Sequence, residues 1–256
     1  SRGWLTVAFL DIGQGDAIFI EAPNGNQVLV DGGPGRAVLR ALSEVLPFYD
    51  HSIDVIIATH PDADHIGGLP EVMKRFFVGA VLEPGVSAST GVYDAFEKTI
   101  TDQAVEKILA RRGQRVNLGR GVILEILFPD RDPTGWETNT ASIVAKLTYG
   151  DSEFLLTGDS PLQIEKYLLG LDGQQLRADV LKLGHHGSKT SSAPEFISAV
   201  RPTHAVISAG KNNRYGHPHQ AVLDTLKTVD PKIGVLRTDE LGTIIFDSDG
   251  LTLTRR

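Results

Sequence analysis

The chain has 256 residues, 41% of them apolar, enough for a sizeable core in one large α/β domain or two small ones. A formal net charge of −7 argues against the broad basic face that many DNA-binding domains carry, though not against a local phosphate site where bound metal brings positive charge. With no cysteine there are no disulfides, thiolate ligands or cysteine nucleophile, and no apolar run is long enough to span a bilayer. The opening "SRGWLTVAFLDIGQGD" lacks the pattern of a signal peptide and enters a strand almost at once, as in a mature protein or an excised domain.

After that strand, "DIGQGDA" (Asp11–Ala17) reads as a tight turn whose glycines take positive φ. Asp11 and Asp16 there are either turn residues or groups that orient metal-bound imidazoles. "DAIFIEAPNGNQVLVDGG" is a hairpin turning at Pro23-Asn24-Gly25-Asn26, and "GRAVLRALSEVLPFY" is a helix. "IDVIIATH" is a strand that runs into His60. "DAFEKTITDQAVEKILARRG" is expected as one long amphipathic helix, with Arg111, Arg112 and Arg115 favouring its C-terminal end. A second hairpin, "SIVAKLTYGDSEFLLTGD", precedes a helix over "SPLQIEKYLLG", with Ser160 as N-cap and Pro161 at the first helical position. Trp4 and Trp136 read as packing residues, and no role is assigned to His51 or His204.

The two hairpin turns, Gly25 and Gly150, lie 125 positions apart. "DVIIATH" (Asp54–His60) matches "DVLKLGH" (Asp179–His185), and "AVLEPG" (Ala80–Gly85) matches "AVISAG" (Ala205–Gly210), both at 125; "LPEVM" (Leu69–Met73) matches "APEFI" (Ala193–Ile197) at 124. Four blocks in one order and near one register suggest an internal duplication. The expectation is a single domain over 1–256, with halves roughly 1–115 and 116–256, built as two face-to-face sheets with helices outside.

His60, Asp62, Asp64 and His65 crowd two imidazoles and two carboxylates into six residues. Carboxylates this dense repel one another, and a divalent cation among them is the economical remedy. The bland alternative is a solvated acidic loop. The duplication argues against it, because it sets His185 where His60 stands. The neighbour His186 leaves open which of the pair is a ligand. Asp159, ending "LLTGD", is a candidate bridge between two ions, and Asp31, ending "LVDGG", is expected to orient a ligand rather than to be one. In "NNRYGHPH" His217 is read as functional and His219 as a turn residue. Lys182, Lys189, Lys211 and Arg214 are candidate phosphate contacts, each read by itself as a solvated surface residue.

The blocks "FLDIGQGDAI", "HPDADHIGG", "NTASIV", "LLTGD", "LKLGHHGSKTS" and "NNRYGHPH" resemble the metallo-β-lactamase superfamily, and within it the C-terminal domain of ComEC-type DNA-uptake channels. The resemblance covers nearly the whole chain. It implies an αββα sandwich binding one or two divalent ions, Mn²⁺ or Zn²⁺. It places His60 and Asp62 on one ion, Asp64 and His65 on the other, Asp159 between them, and a ligand from the histidine pair at the last position: internal symmetry favours His185, and adjacency leaves His186 possible, with the other facing substrate. Asp62 stands where the superfamily usually has a second His. Asn139 fills the place of another ligand His, and an amide oxygen is the weaker donor. The implied activity is a phosphodiesterase, a DNA nuclease degrading the non-transported strand, with Asp64, His186 and His217 in catalysis. Asp16, Asp31, Asn139, Lys189 and His219 would stand near substrate or ligands. Single-stranded DNA would be the substrate and the channel domain of the same parent protein the partner. The domain would be a monomer on the extracytoplasmic face of the cytoplasmic membrane. The rival readings are a hydrolase of phosphocholine esters or lactones and a non-catalytic domain that binds DNA or a partner.

Overall fold

The protein is described by a computed structural model over residues 3–256. In chain order it runs β1 (Leu5–Phe9), β2 (Ile18–Glu21), β3 (Gln27–Val30), α1 (Ala37–Val45), β4 (Ser52–Ile57), α2 (Ala63–Ile66), α3 (Leu69–Met73), β5 (Phe77–Glu83), α4 (Gly91–Asp102) and β6 (Glu106–Leu109). There follow β7 (Arg115–Gly119), β8 (Val122–Phe128), β9 (Val144–Tyr149), β10 (Ser152–Leu156), α5 (Leu162–Asp172), β11 (Val180–Lys182), α6 (Pro194–Val200) and β12 (His204–Ile207). The chain closes with α7 (Gln220–Val229), β13 (Gly234–Arg237), α8 (Thr238–Leu241), β14 (Ile244–Ser248) and β15 (Leu253–Arg255).

The strands form two sheets, ordered β15-β14-β1-β2-β3-β4-β5-β6 and β13-β12-β11-β10-β9-β8-β7. Between them Val7, Phe9 and Val28 of the first pack with Leu124, Phe154 and Leu156 of the second. The Phe246 ring stands edge-on to both Phe9 and Phe154. The outer face of the first sheet (Ala8, Phe19, Leu29, Ile56) is covered by Val38, Leu42, Val72 and Phe96 of its helices. The outer face of the second (Leu155, Leu181, Ala205) is covered by Leu168, Ile197 and Leu226. Central strands buried on both faces read as unbroken apolar runs, which is why "DVII" and "AVIS" show no alternation. This is the expected αββα sandwich.

The repeated blocks occupy equivalent places. β3 pairs in parallel with β4, setting Val28 opposite Val55, as β10 pairs with β11, setting Phe154 opposite Val180. Asp54 accepts the Gln27 N–H at 2.7 Å, and Asp179, at the matching position, accepts that of Glu153 at 2.9 Å.

Two local expectations are corrected. The long helix ends at Asp102; Ala104 turns left-handed at φ 52, and Glu106–Leu109 becomes a strand paired in parallel with β5. Helical periodicity there is outweighed by the unpaired edge of β5. Arg111, Arg112 and Arg115 therefore do not close a helix: Arg112 pairs with Asp172, Arg115 with Glu125, and Arg111 donates to the Pro84 and Ala110 carbonyls. In α5 the N-cap is Pro161, extended at ψ 167, and not Ser160.

Candidate metal centre

Four central strands, β3, β4, β10 and β11, deliver their C-terminal ends to one end of the sandwich. Past β3, Asp31 turns left-handed at φ 59. Past β4 come Thr59 and His60, and Pro61 cannot donate to a ladder. Asp62 is the N-cap residue of the single-turn α2, which carries Asp64 and His65. Past β10 stands Asp159. Past β11 the turn Gly184–Gly187 holds His185 and His186 at φ 50 and 55. Two consecutive left-handed residues other than glycine each cost about 1–2 kcal/mol, so the fold must hold this turn from several sides.

It does so from α5. The buried Glu165 carboxyl accepts N–H bonds from Ser192 at 2.6 Å and Ala193 at 2.7 Å, tying the end of the loop to that helix. Burial pushes its pKa up to about 7, against the pull of the two N–H groups. Glu165→Gln turns one donor toward another and should cost about 1–3 kcal/mol, read as a lower Tm in thermal unfolding. An unchanged Tm would show that the tie contributes nothing.

Hydrogen bonds fix the tautomers of three imidazoles. The Asp31 carboxylate accepts the Thr59 N–H at 2.8 Å and the Thr59 hydroxyl at 2.7 Å. With its proton so committed, the hydroxyl oxygen can only accept from His60 Nδ1, 3.0 Å away. His65 Nδ1 donates to Asp31 Oδ2 at 2.7 Å, and His186 Nδ1 to the Ser208 carbonyl at 3.0 Å. Each ring therefore keeps Nδ1–H toward the protein and leaves Nε2 for the site. All three Nε2 atoms are buried without a hydrogen-bond partner, as are Asp159 Oδ1 and Asn139 Oδ1. Orphaned buried acceptors on this scale are costly unless something bound there satisfies them.

The spacing suits metal ions. His65 Nε2 lies 3.3 Å from Asp159 Oδ1, and His186 Nε2 lies 3.5 Å from Asp159 Oδ2 and 3.4 Å from Asp64 Oδ2. His60 Nε2 is 3.8 Å from Asp62 Oδ2 and 3.9 Å from Asp159 Oδ2. Ligand atoms held about 2.0–2.2 Å from one ion stand roughly 3–3.6 Å apart, a range that the His65 and His186 distances meet and the His60 distances slightly exceed. The candidate donors fall into four overlapping groups: His60 with His65 and Asp159, Asp64 with His65 and His186, Asp16 with Asp159 and His186, and Asp16 with Asp31 and His65.

The electrostatics ask for a cation. Burial works against ionising Asp159, yet His186 and His65 hold it well below the usual carboxylate range. Asp64 is likewise held at about 2, burial being outweighed by His186 and His65. Burial lowers His65 and His186, but their carboxylate neighbours win: Asp159 and Asp31 raise His65 well above its ordinary value, and Asp159 and Asp16 raise His186 to about 9. Burial, reinforced by the charge of His65, drops His60 to about 4. Burial raises Asp62, the most exposed acid of the group. These carboxylates draw positive charge from whatever is at hand, and a divalent ion supplies it without protonating the imidazoles.

Of the histidine pair, His186 enters the donor groups. His185 sits at the rim, partly exposed, with Nε2 3.8 Å from Asp159 Oδ2 and Nδ1 3.0 Å from the Thr190 hydroxyl. Asn139 lies on the β8–β9 loop, which touches both ligand-bearing strand ends: Ser142 Oγ accepts from Asp159 N, and Ile143 N donates to the Thr59 carbonyl. His217 comes close by, its ring 5.5 Å from that of His185 and 6.1 Å from that of His186. Burial and the neighbouring imidazoles bring its pKa to about 4, so it is neutral near pH 7, and its Nδ1 is buried and unpartnered. His219 caps α7, and its Nδ1 accepts the Lys189 N–H at 3.1 Å. Asp11 is a turn residue, accepting from Gly13 N. Trp136 stacks on Phe128, in a packing role.

Lys182 corrects the solvated reading. It is fully buried and paired with Asp16 at 2.7 Å, whereas Lys189, Lys211 and Arg214 are not buried. A lysine inside the apolar run "DVLKLG" was the available signal. Nothing comparable marks Thr59, Ser142 or Glu165.

The family profile for the Metallo-beta-lactamase superfamily matches residues 10–211. The chain belongs to the metallo-β-lactamase superfamily. Within the superfamily it is similar to ComE operon protein 3 of Bacillus subtilis, 35% identical over 257 residues, which cover 94% of this chain and 32% of that protein. It is also similar to competence protein ComA of Neisseria gonorrhoeae, 30% identical over 94% of this chain and 32% of that one. The chain thus spans about a third of the length of these competence relatives. Among solved structures, the metallo-β-lactamase fold protein YhfI from Bacillus subtilis superposes with a TM-score of 0.63 at 15% identity, over 95% of this chain and 100% of that one, a likeness of fold. Among the described residues no helix is long and apolar enough to cross a membrane.

Proposed function

We propose that this domain is a metal-dependent phosphodiesterase that cleaves DNA, with the non-transported single strand during DNA uptake as its substrate. The observation that carries the hydrolytic reading is the convergence of three bare imidazole nitrogens on Asp64 and Asp159 at ligand spacing. The relatedness to competence proteins supports DNA as substrate. The residues fit one or two divalent ions, which His60, Asp62, Asp64, His65, Asp159, His186 and the Asn139 amide would hold. The imidazole donors suit Zn²⁺, and the carboxylate and amide oxygens suit Mn²⁺. When bound, such ions supply Lewis acidity and make water acidic enough to ionise near neutral pH.

The chain's own groups do the rest. Asp31 and the Ser208 carbonyl hold His65 and His186 in one tautomer, so no rearrangement is needed during turnover. Neutral His217 donates a ring N–H to a phosphate oxygen. Arg214, close enough to feel the charge of Asp64, and Lys189 beside the histidine turn give local positive charge to an otherwise acidic molecule. The domain works as a monomer beside the channel portion of its parent protein, on the extracytoplasmic face of the cytoplasmic membrane.

The test is cleavage of linear and circular single-stranded DNA after chelation and return of Mn²⁺, Zn²⁺ or Mg²⁺. Asp64→Ala should lose about 10³-fold in rate, the several kcal/mol that metal-held charge contributes. Cutting of circles would make the enzyme an endonuclease. Cleavage of a small phosphodiester or a lactone with DNA untouched would overturn the DNA reading.

A further inference from the structure

Asp16 and Lys182 form a charged pair that the proposed chemistry does not use. Lys182 ends β11 in the second sheet; Asp16 lies on the loop between β1 and β2 of the first. Both are buried, and Lys182 Nζ reaches Asp16 Oδ2 at 2.7 Å and the Leu183 carbonyl at 2.9 Å. A wholly buried lysine is rare unless paired. The other Asp16 oxygen, Oδ1, is 3.3 Å from His186 Nδ1 and has no hydrogen bond of its own. Its backbone is pinned as well: Asp16 N donates to the Asp64 carbonyl at 3.2 Å, and Gly33 N donates to the Asp16 carbonyl at 2.9 Å. The other outer carboxylate is built differently. Besides His65, Asp31 receives only the neutral Thr59 donors.

We infer that Lys182 is a positioning residue: with Asp16 it makes a buried strut between the two sheets that seats the His186 ring with Nε2 aimed at the metal ligands Asp64 and Asp159. The Ser208 carbonyl sets one hydrogen bond, which by itself does not fix the tilt of the ring about that bond. Asp16 Oδ1, 3.3 Å from His186 Nδ1, closes off that movement, and Lys182, 2.7 Å from Asp16 Oδ2, holds the carboxyl in place. Lys182 thus acts on metal binding through two other side chains, without touching ion or substrate.

The inference rests on the metal centre and not on the substrate, so failure to cleave DNA leaves it standing. The test is Mn²⁺ titration of the chelated protein by calorimetry, without DNA, on Asp16→Asn, Lys182→Met and the double variant. Thermal unfolding of each metal-free protein is followed in parallel. Each single variant should bind Mn²⁺ about 10–100-fold more weakly, the usual loss when a partner of a ligand is removed. Each also strands a buried charge and should melt earlier. The double variant, with no stranded charge, should regain Tm but not affinity. Recovery of affinity along with Tm would reduce the pair to a structural tie and overturn the inference, as would wild-type Mn²⁺ binding in Lys182→Met.

Discussion

Asp159→Ala should remove bound divalent metal and hydrolytic activity together. One carboxylate stands among three imidazoles: its Oδ1 faces His65, and its Oδ2 faces His60 and His186. Removing Asp159 takes away the carboxylate that faces all three of these imidazoles. Activity should fall by at least about 10³-fold. Metal retained through gel filtration, counted by elemental analysis, should drop to background. Stability carries a second signature. An ion present at about 100 times its dissociation constant stabilises the folded protein by about 2.7 kcal/mol. Added Mn²⁺ should therefore raise Tm in the wild type and leave the variant's Tm unmoved. A variant that still binds metal in wild-type amount would place the centre elsewhere.

The second large effect comes from a residue with no side chain. Gly15 adopts φ +124, and a Cβ built there would stand 2.1 Å from the Asp64 carbonyl oxygen and 3.2 Å from its Cβ. Gly15→Ala combines a backbone conformation that only glycine takes easily with a collision against the backbone of a metal ligand. The first costs about 1–3 kcal/mol and the second about as much again. Gly13 is the internal control: at φ +80 a Cβ there meets nothing within 4 Å. In urea unfolding Gly13→Ala should lose about 1 kcal/mol and Gly15→Ala several times that. Mn²⁺ binding should weaken only in Gly15→Ala, because only there is Asp64 displaced. Equal losses would mean that the loop yields without disturbing the site.

The architecture was legible because duplication writes it twice. The repeated offset aligned β3 with β10 and β4 with β11, and the turn chemistry at Gly25 and Gly150 marked both hairpins. What failed was decided by distant partners. Glu106–Leu109 keeps a helical pattern in its own neighbourhood, and only the open edge of β5 makes it a strand. Asp31, Asp159 and the first cluster could be read as strand-end acids and imidazoles. The histidine turn could not, since symmetry counts along a regular backbone. Two left-handed residues break that count, sending His185 to the rim and His186 inward. Lys182 was misread for a related reason. Its partner, Asp16, comes from the opposite sheet, and nothing along the chain announces their meeting.

The register that sets Leu5 opposite Ser248 makes the first strand wait for one of the last. During synthesis β2 to β6 can follow one another into place as they emerge, but the other edge of β1 stays unpaired until Ile244–Ser248 has been made. That edge carries Leu5, Val7 and Phe9, all destined for the core between the sheets. An unfinished chain therefore presents an apolar, unpaired strand to its neighbours, the usual template for aggregation. Cut back just before Ile244, this domain should aggregate more readily than the full 256 residues, read as light scattering on refolding.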